Sequence, residues 1–514
     1  MNENLILKSF RTEWKWLFIG LPLLVFLSRI PLLLSNYSAI DGDEAIVGLK
    51  AMHIIGGRSV PLFFYGQNYG LDIFEAGIVA TYFKFFGISD IALRGATLTI
   101  WIVGFLFYVM FSKIVLGNRM AIIFSVLILS CPAWLLWSLK ARGGYVTAWT
   151  FSGIGCCLAI VCGEGLLRNV VYGAVLAIIY FSHPIMLILP CLIFLIYNRK
   201  ALTIKTINGI MFGAVIVLSV LFFSGAFSVS HWHPRLFGNY DIYAVLSLLP
   251  SLIFGVVSGI HWYYEYINLS AISKLISFFW IMLFVLTLLS LLHKKTWETG
   301  YTKVALTCVL SIFFTFTLVC FFNPQQVSPR YLLAVILPLI FLSSIHLYLI
   351  VFSKIRQYLT RVFVVFLYVI AIIYSVDISS NHPSYIFGSE KYATREEITL
   401  LVNYLESNGI NNVYVNDPTL QWNIIFSSKD HINARWKHSK DRLPEYPMRV
   451  DRAYFAGEKT ALIGWKCDLY MLDSLFENKL SIGSTDIISE RFYVIESPQK
   501  TFLEKLDFTI EYHD

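Results

Sequence analysis

Long apolar runs recur through the first three quarters of the chain and then stop. A helix that crosses a bilayer needs about 20 mostly apolar residues. Runs of that kind lie near residues 16–34, 91–115, 120–139, 146–163, 168–182, 184–198, 206–227, 272–293, 302–322, 331–353 and 361–378. The segments 72–87 and 244–260 are nearly as apolar. The first carries Asp72, Glu75 and Lys84, which predicts an amphipathic helix lying in the interface. The second reads as interfacial or re-entrant.

After residue 378 the pattern changes to alternating short elements. Thr394 followed by Glu397 is a capping box, and Gly409 suits the end of the helix it opens. A strand at 413–415, a helix at 420–427, a strand at 461–464, a helix at 468–477 and a strand at 492–495 follow. The expectation is an all-α polytopic membrane protein, with about 11 transmembrane helices plus interfacial ones, over residues 1–378. A small soluble α/β domain would occupy residues 379–514.

Composition agrees with that division. The chain is 57% hydrophobic and 14% charged, against about 25% charged in soluble proteins. Disorder, collagen and a nucleic-acid platform fit poorly. The net charge of +7 divides into +12 over residues 1–378 and −5 over the tail. Basic residues fall on every second connection: Lys8, Arg11 and Lys15, then Lys113 and Arg119, Arg168, Arg199 to Lys205, Lys294 to Lys303, and Lys354 to Arg361. The positive-inside rule puts these connections and the N-terminus in the cytoplasm. The loop 35–90 and the tail then face outward, as expected of a multi-pass protein of the cell (inner) membrane. Seven of the eight cysteines lie in apolar runs, where they read as small buried hydrophobes. No metal-ligand spacing appears, and no metal is expected.

The unusual polar residues crowd the outer side. Asp41, Asp43 and Glu44 stand within four positions just past the first span. One reading is a solvated turn with Asp43 as the N-cap of the following helix; another is a carboxylate site at the membrane surface. The loop Pro61 to Gly70 mixes aromatics, amides and glycines. It reads as an interfacial aromatic belt, or as a binding wall in which Tyr65, Gln67, Asn68 and Tyr69 contact a sugar or lipid. Arg94, Arg142 and Arg330 are cations on the outer face, against the usual bias. They either snorkel or hold an anionic ligand, since guanidinium matches phosphate geometry. His183, before Pro184, breaks an apolar run as a structural or a substrate-binding residue, and Tyr331 stands beside Arg330.

These features occur in a recognisable order. Arg29 near the outer end of the first span is followed by Asp43-Glu44-Ala45, Gly56-Gly57, the loop from Tyr65 to Gly70, and then Phe86-Gly-Ile-Ser-Asp-Ile-Ala-Leu-Arg94. The set resembles the GT-C glycosyltransferases, in particular the protein O-mannosyltransferase and aminoarabinose-transferase branch. The resemblance is best over residues 15–100 and continues weakly through Arg142, His183-Pro184 and Pro329 to Leu332. It implies transfer of a sugar from a polyprenyl-phosphate donor to a protein, lipid or polysaccharide acceptor on the non-cytoplasmic side, with no other cofactor. Asp43 would be the base, Glu44 its assistant, and Arg94 a donor-phosphate residue beside Arg142 and Arg330. Two departures stand out. The lysine-proline pair of the aminoarabinose branch is replaced by Gln67-Asn68-Tyr69. The run Arg142-Gly-Gly-Tyr145 lacks the acidic residues of the metal-dependent oligosaccharyltransferase branch. A transporter or flippase of a lipid-linked substrate, or a polysaccharide polymerase or ligase, are the alternatives. The apolar span centres and the absence of an internal repeat disfavour the transporter.

Overall fold

The structure, a computed structural model, describes residues 14–37, 40–162, 165–199, 202–227, 241–260, 269–292, 297, 300–322, 327–352, 357–381, 391–438, 441–469 and 485–511. The first helix, α1 (Trp14–Leu34), leads to two short helices, α2 (Gly42–Ile55) and α3 (Ile73–Phe86). A run of apolar helices follows: α4 (Asp90–Leu116), α5 (Asn118–Ser130), α6 (Pro132–Trp137), α7 (Tyr145–Val161), α8 (Leu166–Ser182), α9 (Ile188–Tyr197), α10 (Ile204–Phe223), α11 (Ile242–Val257), α12 (Ala271–Ser290), α13 (Thr302–Cys320), α14 (Leu333–His346) and α15 (Gln357–Ser380).

Among the described residues, six helical segments are long and apolar enough to cross a membrane. They include α4, α10, α12, α13, the segment Pro329–Leu349 and the end of α15. Shorter apolar helices fill most of the remaining predicted spans. One predicted span, 120–139, is divided. Pro132 cannot donate a backbone hydrogen bond, so α5 closes at Ser130 and α6 restarts with proline in its first turn. The segment 244–260 forms α11, an apolar helix of 16 residues. The outward faces of these helices are apolar; Phe223 of α10 is 85% exposed. Such a face suits lipid rather than water.

Arg29 on α1 is completely buried. It donates to the carbonyl of Leu129 at 3.0 Å, to Ser28 Oγ at 2.7 Å and to Ser138 Oγ at 3.3 Å. Leu129 lies in the last turn of α5, where helical carbonyls lack their usual partners. Arg29 thus braces the break at Pro132 and the short α6 beyond it. Lys140 and Arg142 follow directly from that element.

The tail contains α16 (Arg395–Ser407), β1 (Asn412–Val415), α17 (Pro418–Ser427), β2 (Asn433–Arg435), α18 (Glu445–Phe455), β3 (Thr460–Trp465), β4 (Thr485–Ile488), β5 (Phe492–Glu496) and α19 (Lys500–Lys505). The strands form one sheet in the order β2-β1-β3-β5-β4, with β1 parallel to β2 and β3, and β5 antiparallel to β3 and β4. Thr394 and Glu397 do form the capping box, and Gly409 takes a left-handed φ of 67° just past α16. The helix predicted at 468–477 lies mostly outside the described residues. α18 escaped sequence reading because Pro444 and Pro447 flank its start, although Tyr446, Val450 and Ala453 form its buried stripe.

The tail packs directly on the first outer loop. α17 lies along α2, with the ring of Phe426 seated on Gly48. One apolar core includes Ala45, Leu49 and Phe64 of the loop together with Trp422, Ile425 and Phe426 of α17. Polar ties reinforce it. Arg395 donates to Asp90 at 2.6 Å, and Asn423 donates to the Ile40 carbonyl at 3.3 Å.

Candidate active site

Asp41, rather than Asp43, caps α2. Its Oδ1 accepts the backbone N–H groups of Asp43 and Glu44, each at 3.0 Å, and Glu44 Oε2 accepts the Asp41 N–H at 3.0 Å. This is a complete capping box. The cap reading of Asp43 is therefore corrected by two positions. The reason is chemical: with Glu44 at the third helical position, only Asp41 can close the reciprocal pair.

The capping residues also gather cations. Arg142 Nε and Nη2 converge on Asp41 Oδ2 at 2.9 and 2.8 Å. Lys140 reaches Glu44 Oε2 at 2.8 Å, and Arg94 Nε stands 3.4 Å from Glu44 Oε1. Glu44 is fully buried and Arg94 nearly so. A buried carboxylate needs such partners to remain charged. Glu44 and Arg94 therefore form the frame behind the site.

Asp43, released from capping, faces a cavity of about 280 Å³. Arg142 Nη1 stands 3.8 Å from its Oδ2. Gln67, Tyr69, Tyr145, His183, Arg330 and Tyr331 share the cavity wall. Its apolar part comes from Ile185, Leu318 and Phe322, at the ends of membrane helices. Three loops meet to build this wall. Gly70 N–H and Leu71 N–H both donate to the Phe181 carbonyl, at 2.9 and 3.0 Å. A side chain at Gly70, whose φ is 71°, would stand 2.6 Å from the Gly143 carbonyl oxygen. Below them, fully buried Lys50 donates to the Phe63 carbonyl at 2.9 Å and to Asp72. That pair fixes the loop to α2.

Burial lifts Tyr69 to about 12, against the nearby Arg442, so its hydroxyl remains a hydrogen-bond donor. Burial, together with Arg330, pushes His183 down to about 3. Its ring is neutral throughout the physiological range and packs at a tilt against Tyr145, with centroids 4.1 Å apart. A neutral imidazole can accept or donate a hydrogen bond but adds no charge. The guanidinium of Arg330 lies 5.3 Å over the Tyr331 ring.

The structure thus brings together Asp43, Gln67, Tyr69, Arg142, His183, Arg330 and Tyr331. Arg94 and Glu44 stand outside the cavity wall. Tyr65 is also behind it, with its hydroxyl 2.7 Å from His53 Nδ1, and Asn68 is half-buried and does not line the cavity. Sequence reading missed Tyr145 and Arg442. Tyr145 lay within a quoted motif. Arg442 comes from the tail, and no local pattern marks it; only the packing of α17 on α2 delivers it.

No family model matches the sequence, and no curated protein matches it. Solved structures do. The crystal structure of ArnT from Cupriavidus metallidurans bound to undecaprenyl phosphate aligns over 95% of this chain and 99% of that one, with a TM-score of 0.60 at 13% identity. The chain has a GT-C fold. The apo form of the same ArnT gives a TM-score of 0.59, covering 95% of this chain and 98% of that one at 13% identity. A GT-C fold and the apolar helices describe a polytopic membrane protein with a small mixed sheet, as the sequence predicted.

Proposed function

We propose that the chain is an integral-membrane glycosyltransferase that moves a sugar from a polyprenyl-phosphate donor to an acceptor on the non-cytoplasmic side. The observation that carries this reading is the meeting of one carboxylate with several guanidinium groups in a cavity that also carries amide and hydroxyl groups and an apolar part at the ends of membrane helices. ArnT, which shares the fold, binds undecaprenyl phosphate.

The chemistry follows from the groups present. An acceptor hydroxyl attacks the anomeric carbon, forming the new C–O bond as the bond to the donor phosphate breaks. Asp43 takes the hydroxyl proton. The departing polyprenyl phosphate keeps the electron pair as an anion. Arg142 and Arg330 stabilise that developing charge, and fixed guanidinium groups can do so without reorganising. Gln67, Tyr69 and Tyr331 hydrogen-bond the sugar, while Ile185, Leu318 and Phe322 receive the first isoprene units. Glu44 and Arg94 act through Asp41 and α2, holding Asp43 in place. The donor-phosphate role that the resemblance gave Arg94 passes to the arginines of the cavity wall. The tail and the loop 35–90 lie outside the cell membrane in this reading.

The test is ligand stabilisation of the full-length protein in nanodiscs. A polyprenyl monophosphate should raise the thermal midpoint, and both Arg142→Ala and Arg330→Ala should abolish the shift. A shift unchanged in both variants, or none in the wild type, would overturn the assignment.

A further inference from the structure

Arg442 is the one arginine of the cavity wall that the soluble tail provides. Its Nη2 stands 3.4 Å from Asp43 Oδ1. Arg142 approaches the other oxygen of the same carboxylate, at 3.8 Å. Asp43 is therefore bracketed by one guanidinium from the membrane body and one from the tail.

Several contacts aim Arg442. Its guanidinium lies over the Phe64 ring, 4.8 Å from the centroid, which orients the planar group. Its backbone N–H donates to Asp441 Oδ1 at 2.6 Å, and Asp441 Oδ2 accepts from Gln421 of α17 at 2.6 Å. Gly66, with φ of 71°, lets the loop come close: a side chain there would stand 2.7 Å from Arg442 Cα. The loop that carries Tyr69 and the tail segment that carries Arg442 thus fit each other in detail.

The charge count says what such an arginine is for. Around the N-terminus of α2, Asp41, Asp43 and Glu44 face Arg94, Lys140, Arg142 and Arg442, and Arg330 shares the cavity with Asp43. On the cavity wall itself three guanidinium groups, from Arg142, Arg330 and Arg442, meet one carboxylate, Asp43. Gathered in a partly buried space, they favour an anion.

Resting on the donor reading above, we infer that Arg442 binds the donor phosphate from the water-facing side, so that the C-terminal unit forms part of the donor site. The membrane-side arginines hold the phosphate from below and the tail arginine closes it from above. Guanidinium groups from two distant parts of the chain would then share the phosphate oxygens.

Steady-state kinetics on the full chain in nanodiscs tests this, with a polyprenyl-phosphate sugar as donor. Arg442→Ala should raise the donor KM at least tenfold and lower kcat/KM about 100-fold, the range seen when one charge-stabilising donor is lost. Arg442→Lys should recover part of that loss, because lysine keeps the charge but not the planar fork. Arg452→Ala, at an exposed position of α18, is the control and should match the wild type. Inhibition by a polyprenyl monophosphate should weaken in Arg442→Ala in step with the donor KM, which a folding defect alone would not produce. Should Arg442→Ala accumulate poorly, Arg442→Gln keeps the length and reads the same two quantities. Donor KM and inhibition within twofold of wild type in either variant overturn the inference. So does an equal loss in Arg452→Ala. If the wild type transfers sugar from the polyprenyl-phosphate donor while Arg442→Ala is normal, only this inference falls; if the wild type neither transfers from that donor nor is inhibited by the polyprenyl monophosphate, the donor reading falls with it.

Discussion

Asp41, Asp43 and Glu44 sit within four positions, yet each has a different task, and burial separates them. Asp41 caps and holds Arg142; Glu44 is sealed behind it with Arg94 and Lys140; Asp43 alone faces the cavity. Arg94→Ala should therefore act on stability. Removing one partner of a buried pair costs about 3–5 kcal/mol, and the thermal midpoint should fall by several degrees, with Arg94→Lys recovering part of it. An Arg94→Ala protein with a wild-type midpoint and no activity would instead return Arg94 to the reaction. Glu75 gives a second prediction at this scale. Burial raises it to about 7, above the ordinary 4.5, although Thr147 N and Oγ1 donate to it. The folded state thus holds a proton that the unfolded chain releases. That stabilisation is full below pH 4.5 and is lost as pH rises through about 7. Thermal midpoints measured from pH 5 to 8 should show a shallower decline in Glu75→Gln than in the wild type; an identical slope would contradict the assignment. Sequence reading found the residues of the outer loop but gave the cap to Asp43 instead of Asp41, because the cap depends on which carboxylate closes back on Glu44.

At the scale of elements, α2 is the part on which the site turns. Its N-terminus carries Asp43, its middle carries Gly48, and α17 of the tail lies along it. Phe426→Ala removes a buried ring from that contact and should cost about 3–5 kcal/mol. Because Asp43 and Arg442 both depend on this packing, transfer should fall too, although Phe426 does not line the cavity. Full transfer at a temperature where the variant stays folded would show that the site does not depend on that contact. Helices were legible wherever apolar length was decisive, as in α4, α10, α12 and α13. The break at Pro132 was not, because the run 120–139 remains apolar through the proline, and hydropathy does not register a missing backbone donor. In the tail, the capping box at Thr394 and the strands β1, β3 and β5 read directly, whereas the short edge strands β2 and β4 did not. α18 did not, since its buried stripe is short and its prolines imitate a turn.

At the scale of the whole molecule, the change in hydropathy after residue 378 separated a membrane body from a soluble tail. It could not show that the tail turns back onto the first outer loop. That arrangement rests on Phe426, Asn423 and Arg395, whose partners lie more than 300 residues away. Orientation follows from the basic connections and has its own check. A cysteine at Leu202, between α9 and α10, should resist an impermeant thiol reagent applied outside intact cells, and labelling there would invert the topology. The central claim is sugar transfer with Asp43 as base. Its most direct test is mass spectrometry of surface glycans and glycoproteins from cells that lack this protein and are complemented with wild type or Asp43→Asn at equal membrane levels. A glycan should disappear in its absence, return with the wild type and stay missing with Asp43→Asn. An unchanged glycan profile, or full restoration by Asp43→Asn, would contradict it.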